Sequence, residues 1–366
     1  MMLVSDPYKI VPFVFNCYPD KFKKFEEFLS ETRKPGYMCV PDVTVLPIGV
    51  EESYEFSHVP TIFIDTEPSI HNAHIEYCQK LNAKPIHIVG VSCKSPTWHY
   101  KIKTFQYWSN LAFTSMLNQR LPPVEAGAKP YVANVLFGGW MPSRSIILKH
   151  LVDNQLLKSC LVNYNQRQTL SLEQNKQQLT QHPDLYMNYT SPGLRELDVP
   201  EFNELAYNKD GSIFTMVQLR QSHPGWLSQL IPWKLFNSTY LSVVGETENM
   251  AIPDTFLPSE KIAKPLFIGQ PFVVYGAKDF LKNLREIGFR TYGQWIDESY
   301  DDVTDSSKRA LKVAESVVKF ARLSETDKLS IMHEAKEVCD YNRNIMLDFK
   351  LLGKPVVDAI LNFKPT

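Results

Sequence analysis

YLSVVGETENMAIPDTFLPSEKIAKPLFIGQPFVVYG, residues 240–276, contains two short apolar runs. Leu241–Val244 and Pro271–Tyr275 mix β-branched and aromatic residues, and each run is followed by a glycine. That pattern predicts two buried parallel strands. Between them lie an acidic loop, then Ser259-Glu260-Lys261, then a helical run to Ile268. Anions settle at helix N-termini, where backbone N–H groups point outward. Lys261 adds a positive charge at that place. Glu246, Glu248 and Glu260 would repel a bare phosphate, so they suit hydrogen bonds from sugar hydroxyls. Phosphate and polyol side by side point to a nucleotide sugar.

Working outward, the same alternation of strand and helix runs through most of the chain. Val11–Asn16, Thr61–Asp65 and Pro85–Val91 read as strands, and Asp20–Thr32, Ala73–Leu81 and Thr104–Asn118 as helices. Leu121–Lys129 (LPPVEAGAK) reads as a hinge. Tyr131–Phe137 and Cys160–Asn163 then read as strands on either side of a helix over Arg144–Asn154. The chain from Gln166 to His182 is polar and glutamine-rich, either a helix or a loop. Beyond Tyr275 the pattern predicts a helix over Lys278–Ile287 capped by Gly288, then a short strand at Arg290–Thr291. Long helices follow over Ser306–Ala321 and Thr326–Lys350, the second with Ser324 and Glu325 ahead of it. The expected organisation is a first α/β domain over 1–125, a second over 126–322, and C-terminal helices over 323–366 that pack across both. Open α/β sheets bind ligands at the C-terminal ends of their strands.

Bulk properties narrow the function classes. The 366 residues are long for one core. A formal net charge of −1 gives no global field for nucleic acid, although a local basic patch is compatible with it. Six cysteines show no paired CxxC spacing, so they read as free thiols in a reducing compartment. The N-terminus carries acid and proline early, which makes a poor signal peptide. No apolar run approaches the ~20 residues of a membrane span. The expectation is a soluble cytoplasmic protein without a membrane partner.

Several residues could carry chemistry. In VANVLFGGWMPSR, Gly138 and Gly139 let the backbone turn closely after a strand, and Pro142-Ser143-Arg144 opens a helix. An arginine there can grip a diphosphate with two parallel hydrogen bonds. The plainer alternative is a tight turn with a solvated arginine. No GxxxxGKS/T loop exists. Asp65 ends a strand and Glu67 lies just beyond it, where a carboxylate could take a proton from an acceptor hydroxyl. His71 is a rival base. The alternative is that Asp65 or Ser69 caps the next helix. His71 and His74 lack an acidic partner for a metal site.

Residues 93–108 interleave Lys94, Lys101 and Lys103 with Trp98, His99, Tyr100, Phe105, Tyr107 and Trp108. Cations and flat rings suit phosphate contact and base stacking. Ordinary core packing with lysines at the rim is the competing reading. The acidic run Trp295–Asp302 hints at Mg²⁺ and reads more simply as a structured helix cap or loop around the C-terminal helices.

These pieces together resemble a glycosyltransferase of the GT-B type, with two Rossmann-like domains facing a cleft. The donor half is similar to the α-1,3-fucosyltransferase family. The matching positions are Ser143 and Arg144, Glu248-Asn249, and Ser259-Glu260-Lys261, followed by Gly269 to Gly276. The acidic position could equally fall on Glu246. A closer likeness is to glycosyltransferase-like proteins of tailed phages. These share EKxxKPxxxGQPFxxYGxxxFLxxLRExGFxT, here Glu260–Thr291, then DESYD at Asp297–Asp301.

The resemblance implies that Gly139, Ser143, Arg144, Glu246, Glu248, Asn249, Ser259, Glu260 and Lys261 hold the donor. Glu67-Pro68 fits the place of the base, with Asp65 and His71 as the other catalytic candidates. It implies an inverting transfer from a UDP- or GDP-linked sugar, pentose such as arabinose or hexose, with no obligatory metal or further cofactor. The implied acceptor is 5-hydroxymethylcytosine in phage DNA, met by Lys94, Trp98, His99, Lys101 and Lys103, with double-stranded DNA as partner. A surface glycan or protein acceptor is the alternative within the class. A non-catalytic binding module on a transferase fold is the alternative outside it.

Overall fold

Consecutive parallel strands organise both halves of the chain, as seen in a computed structural model. It describes residues 38–40, 61–65, 86–91, 100–102, 116, 119–137, 141–164, 189–197, 231–246 and 256–347. The chain divides into two compact units. One comprises Met1–Leu111, Glu248–Pro258 and Asp348–Thr366; the other comprises Ala112–Thr247 and Ser259–Leu347.

In the first unit, β1 (Met38–Val40), β2 (Thr61–Asp65), β3 (Ile86–Val91) and β4 (Tyr100–Ile102) form one parallel sheet in that order. The register pairs Phe63 with Ile88, Asp65 with Gly90, and Gly90 with Lys101. TIFID and IHIVGV carry the apolar, β-branched runs that parallel strands need. The expected strand at Pro85–Val91 is present from Ile86. β1 and β4 have no signal in the sequence, because three residues carry no period. The expected elements at Val11–Asn16, Asp20–Thr32 and Ala73–Leu81 lie outside the described residues, as does all but Met116 of Thr104–Asn118.

The second unit is built on a five-stranded sheet. Its strands are β5 (Tyr131–Phe137), β6 (Cys160–Tyr164), β7 (Tyr189–Thr190), β8 (Thr239–Gly245) and β9 (Phe272–Tyr275). They lie in the order β7-β6-β5-β8-β9, all parallel except the short edge strand β7. α1 (Pro142–Asp153) links β5 to β6, and α4 (Glu260–Ile268) links β8 to β9. The short helices α2 (Pro192–Glu196) and α3 (Trp233–Asn237) lie between β7 and β8 in the chain. After β9 come α5 (Phe280–Glu286), α6 (Ser306–Ala321), α7 (Glu325–Glu334) and α8 (Lys336–Leu347). α6 packs on α1 and β9, and α8 packs on α4. Val135, Leu161, Leu241, Val243, Val273 and Val274 are buried along the strands, as a sheet covered by helices requires.

A polar network sits inside this apolar sheet. Asn134 Nδ2 donates to Thr239 Oγ1 at 2.9 Å and to Gln270 Oε1 at 3.2 Å. Gln270 Nε2 donates to the carbonyls of Phe236 and Thr239 at 2.8 and 2.9 Å. Burial makes such bonds strongly directional, because an unmade one is costly. The network therefore fixes the register of β5 against β8. Gly269 ends α4 with φ 68°, a left-handed turn that suits glycine, and a Cβ there would stand 3.4 Å from the Cys339 carbonyl.

Three sequence expectations need correction. Arg290–Thr291 is not a strand: Arg290 N donates to Asn342 Oδ1 and its carbonyl accepts from Asn342 Nδ2. A side chain of α8 thus takes the bonds that a neighbouring strand would have taken. The helix read over Thr326–Lys350 is two helices parted at Ala335, and Ala335, a strong helix former, carries no local signal for the break. The proposed hinge, Leu121–Lys129, is irregular but tied down. Val124 N donates to the Ile268 carbonyl, Glu125 N and Lys129 Nζ to Asn237 Oδ1, and Arg343 to the Leu121 carbonyl. The acidic run does cap a helix, but the preceding α5 and not a C-terminal one: the Asp301 carboxylate accepts from Leu281 N and Lys282 N. Among the described residues no helix is long and apolar enough to cross a membrane.

Candidate functional site

The strand order places a topological switch between β5 and β8. From β5 the chain crosses to β6 on one side, and from β8 it crosses to β9 on the other. Ligands of open α/β sheets bind in the crevice that opens at such a switch, outside the strand C-termini. Two helix N-termini stand there, those of α1 and α4, and both carry residues singled out from the sequence.

At the start of α1, Met141 occupies the N-cap position with no side-chain cap, Pro142 begins the helix, and no acid lies in the first turn. Proline suits this place because its missing N–H is one the helix could not use. Ser143 and Arg144 are each 4% exposed. Arg144 donates to the Gly245 carbonyl at 2.6 Å, and its guanidinium lies 5.8 Å from the centre of the Phe137 ring. A Cβ on Gly245 would lie 2.9 Å from the Phe137 ring and 3.1 Å from Arg144 Nε, so close approach requires glycine there. The Ser143 hydroxyl is buried with no hydrogen-bond partner among the described residues. Native proteins rarely leave such a group unmatched, because it costs about 1–3 kcal/mol.

At the start of α4, Ser259 is the N-cap and its Oγ accepts from Lys261 N at 3.2 Å. Glu246, directly after β8, is 1% exposed. It accepts from Ser259 N at 3.0 Å, Ser259 Oγ at 2.5 Å and Ile262 N at 3.3 Å. Lys261 Nζ lies 3.1 Å from Glu260 Oε1 and 3.9 Å from Glu246 Oε2, with 30% of its side chain exposed.

Burial pushes the Glu246 carboxyl above its ordinary range; the Lys261 ammonium pulls it back, and the Glu260 carboxylate adds to the rise. Burial also pushes Glu260 up, but Lys261 and Lys264 outweigh it and hold that carboxyl below its ordinary range. Burial brings Lys264 down to about 8, against the attraction of Glu260. The cluster therefore pairs an ionised Glu260 with flanking ammonium groups.

Of the expected donor residues, Ser143, Arg144, Glu246, Ser259, Glu260 and Lys261 fall on these two helix starts and the strand end between them. Gly139, Glu248 and Asn249 lie outside the described residues, as do Glu67, His71, Lys94, Trp98, His99 and Lys103. Asp65 is the last residue of β2 and Lys101 the middle residue of β4. Sequence reading missed Gly245, Phe137 and Lys264 at this site. The glycine closing a buried strand was a signal for the first, and the spacing of Lys264 three residues after Lys261 was a signal for the last. Cys160 and Cys339 are free and buried, and burial pushes both thiols up to about 12. They are unreactive as nucleophiles near neutral pH.

No group of three or more metal-ligating side chains is found among the described residues. No protein-family model, no curated protein and no solved structure matches the chain.

Proposed function

We propose that this protein is a glycosyltransferase that moves a sugar from a nucleotide-sugar donor to a hydroxyl group. The observation that carries this reading is the uncapped start of α1. A buried serine hydroxyl with no hydrogen-bond partner among the described residues stands there beside Arg144, at the switch point of a parallel sheet. Hydroxyl, guanidinium and helix N-terminus all favour a negatively charged, oxygen-rich group. A donor diphosphate is such a group. The sequence run beginning at Glu260, similar to fucosyltransferases and phage transferases, supports a sugar as what it carries.

In this reading Arg144 and Lys261 stabilise the leaving diphosphate, where charge develops in the transition state. Two cations do this without an obligatory metal. Glu67 takes the acceptor proton, with Asp65 and His71 as the other candidates, and the transfer inverts the anomeric centre. The finer architecture we propose is GT-B, with the four-stranded sheet on the acceptor side and the five-stranded sheet on the donor side. We take the acceptor to be 5-hydroxymethylcytosine in phage DNA, modified in the host cytoplasm. The basic and aromatic residues Lys94, Trp98, His99, Lys101 and Lys103 would meet the duplex.

The test is a panel of UDP- and GDP-sugars, pentoses included, incubated with the protein and duplex DNA with or without hydroxymethylcytosine. Mass spectrometry of the digested nucleosides reads the product. One added sugar on the hydroxymethylated DNA alone is the expected result. Slow donor hydrolysis without a DNA adduct moves the acceptor to a glycan or protein. Neither signal leaves a non-catalytic binding module on a transferase fold.

A further inference from the structure

The start of α4 is closed by a residue from outside the helix. In a capping box, the N-cap hydroxyl binds an amide of the first turn, and a Glu or Gln at the third helical position returns to the N-cap amide. Here the N-cap is Ser259 and the third helical position is Ile262, which has no acceptor to return. Glu246 supplies the missing half from the end of β8. Its Oε1 accepts from Ser259 N at 3.0 Å and from Ile262 N at 3.3 Å, and its Oε2 from Ser259 Oγ at 2.5 Å. Its own N–H donates to the Tyr275 carbonyl at 2.9 Å, which anchors the carboxylate to the paired strands β8 and β9. At 1% exposure it presents no open face to a sugar.

Lys261 stands on the outer side of this clamp. Its ammonium lies 3.2 Å from Ser259 Oγ and 3.1 Å from Glu260 Oε1. We infer that Glu246 is a positioning residue, which locks the start of α4 to β8 and thereby sets where the Lys261 ammonium stands. Its consequence for function rests on the reading of Lys261 as a diphosphate ligand. By charge alone a carboxylate at this place opposes an anion. Glu246 therefore helps an anion only through the geometry it imposes, and that separates positioning from simple electrostatics.

The experiment compares Glu246→Gln and Glu246→Asp with the wild type in the full chain. Gln preserves the shape and removes the charge. Asp preserves the charge and falls one methylene short. Amide hydrogen exchange over residues 259–262 reads the clamp in the ligand-free protein, with β5 as the control for an intact fold. Calorimetric titration with UDP and GDP reads the consequence. Asp loses protection over 259–262 and binds the tighter of the two nucleotides about tenfold more weakly, whereas Gln, whose amide oxygen still accepts from Ser259 N and Ile262 N, loses less on both counts; β5 stays protected in both. Unchanged or tighter binding by Glu246→Asp overturns the inference, because that variant keeps the charge and loses only the reach of the clamp. Unchanged exchange in both variants also overturns it. If the wild type binds neither nucleotide, the donor reading falls. Exchange alone then decides the clamp: lost protection upholds it and unchanged protection overturns it.

Discussion

Three helices follow the C-terminal ends of the parallel strands β5, β8 and β9, and they begin in different ways. α4 is closed by Ser259 and by the buried Glu246. α5 is closed by Asp301, whose two oxygens take Leu281 N at 2.7 Å and Lys282 N at 3.0 Å. In both, a carboxylate distant in the chain satisfies first-turn amides that a helix cannot bond itself. α1 has neither a side-chain cap nor an acid in its first turn, and the buried Ser143 hydroxyl has no hydrogen-bond partner among the described residues. Under the proposed function, the start that carries no carboxylate among the described residues is the one that receives the donor's negative group.

The largest effect should come from Arg144, which lies at the uncapped start of α1. Arg144→Ala removes charge-assisted bonds of about 2–3 kcal/mol, so UDP or GDP should bind roughly 30- to 150-fold more weakly by calorimetry. Arg144→Lys should recover only part of this, because an ammonium lacks the planar fork. Full affinity in Arg144→Ala would erase the distinction between the open and closed starts.

Next in size is Gly245→Ala. The added methyl group would crowd the Phe137 ring at 2.9 Å and Arg144 Nε at 3.1 Å. Overpacking of this kind costs about 1–3 kcal/mol. Thermal melting should fall by roughly 2–10 °C, and diphosphate affinity should fall with it. A stable protein with displaced Arg144 would show only the second change.

The smallest effect is a control away from the helix starts. The Lys319 ammonium bonds the Asp297 carboxylate and, with the Ser299 N–H, holds its pKa at about 2, below the ordinary 3.8. A depressed carboxyl stabilises the fold above its unfolded value and loses that contribution as pH falls through its folded value. The stability difference between wild type and Asp297→Asn should therefore be present at pH 5 and vanish as pH falls to about 2. Screening keeps it small, since Lys319 is well exposed. Denaturant midpoints across that range check it, and diphosphate affinity should not differ between the two proteins at neutral pH.

How much of this was legible in the sequence follows from physics. The β-branched runs Tyr131–Phe137, Thr61–Asp65 and Leu241–Val244 announced strands because parallel strands are apolar throughout. Pro142-Ser143-Arg144 and Ser259-Glu260-Lys261 announced helix starts by their own chemistry. Much of the run from Glu260 to Thr291 proves to be architecture: Gly269 turns the chain, Gln270 pins two strands, and Phe272 and Tyr275 are core. Local sequence could not reveal that Glu246 caps a helix 13 residues away, or that Asp301 caps one that precedes it by about 20. Nor could it reveal that the Arg144 guanidinium meets a carbonyl more than 100 residues on. Those contacts depend on strand order, and strand order is not written in any single segment.

Ser143→Ala tests the central claim most directly. If the α1 start is open for an anion, the hydroxyl is a cost to the ligand-free protein and a gain to the complex. The variant should then melt about 2 °C higher without ligand, and bind UDP or GDP about five- to tenfold more weakly. A lower melting temperature with unchanged affinity would contradict the account, because it would make Ser143 an ordinary structural residue.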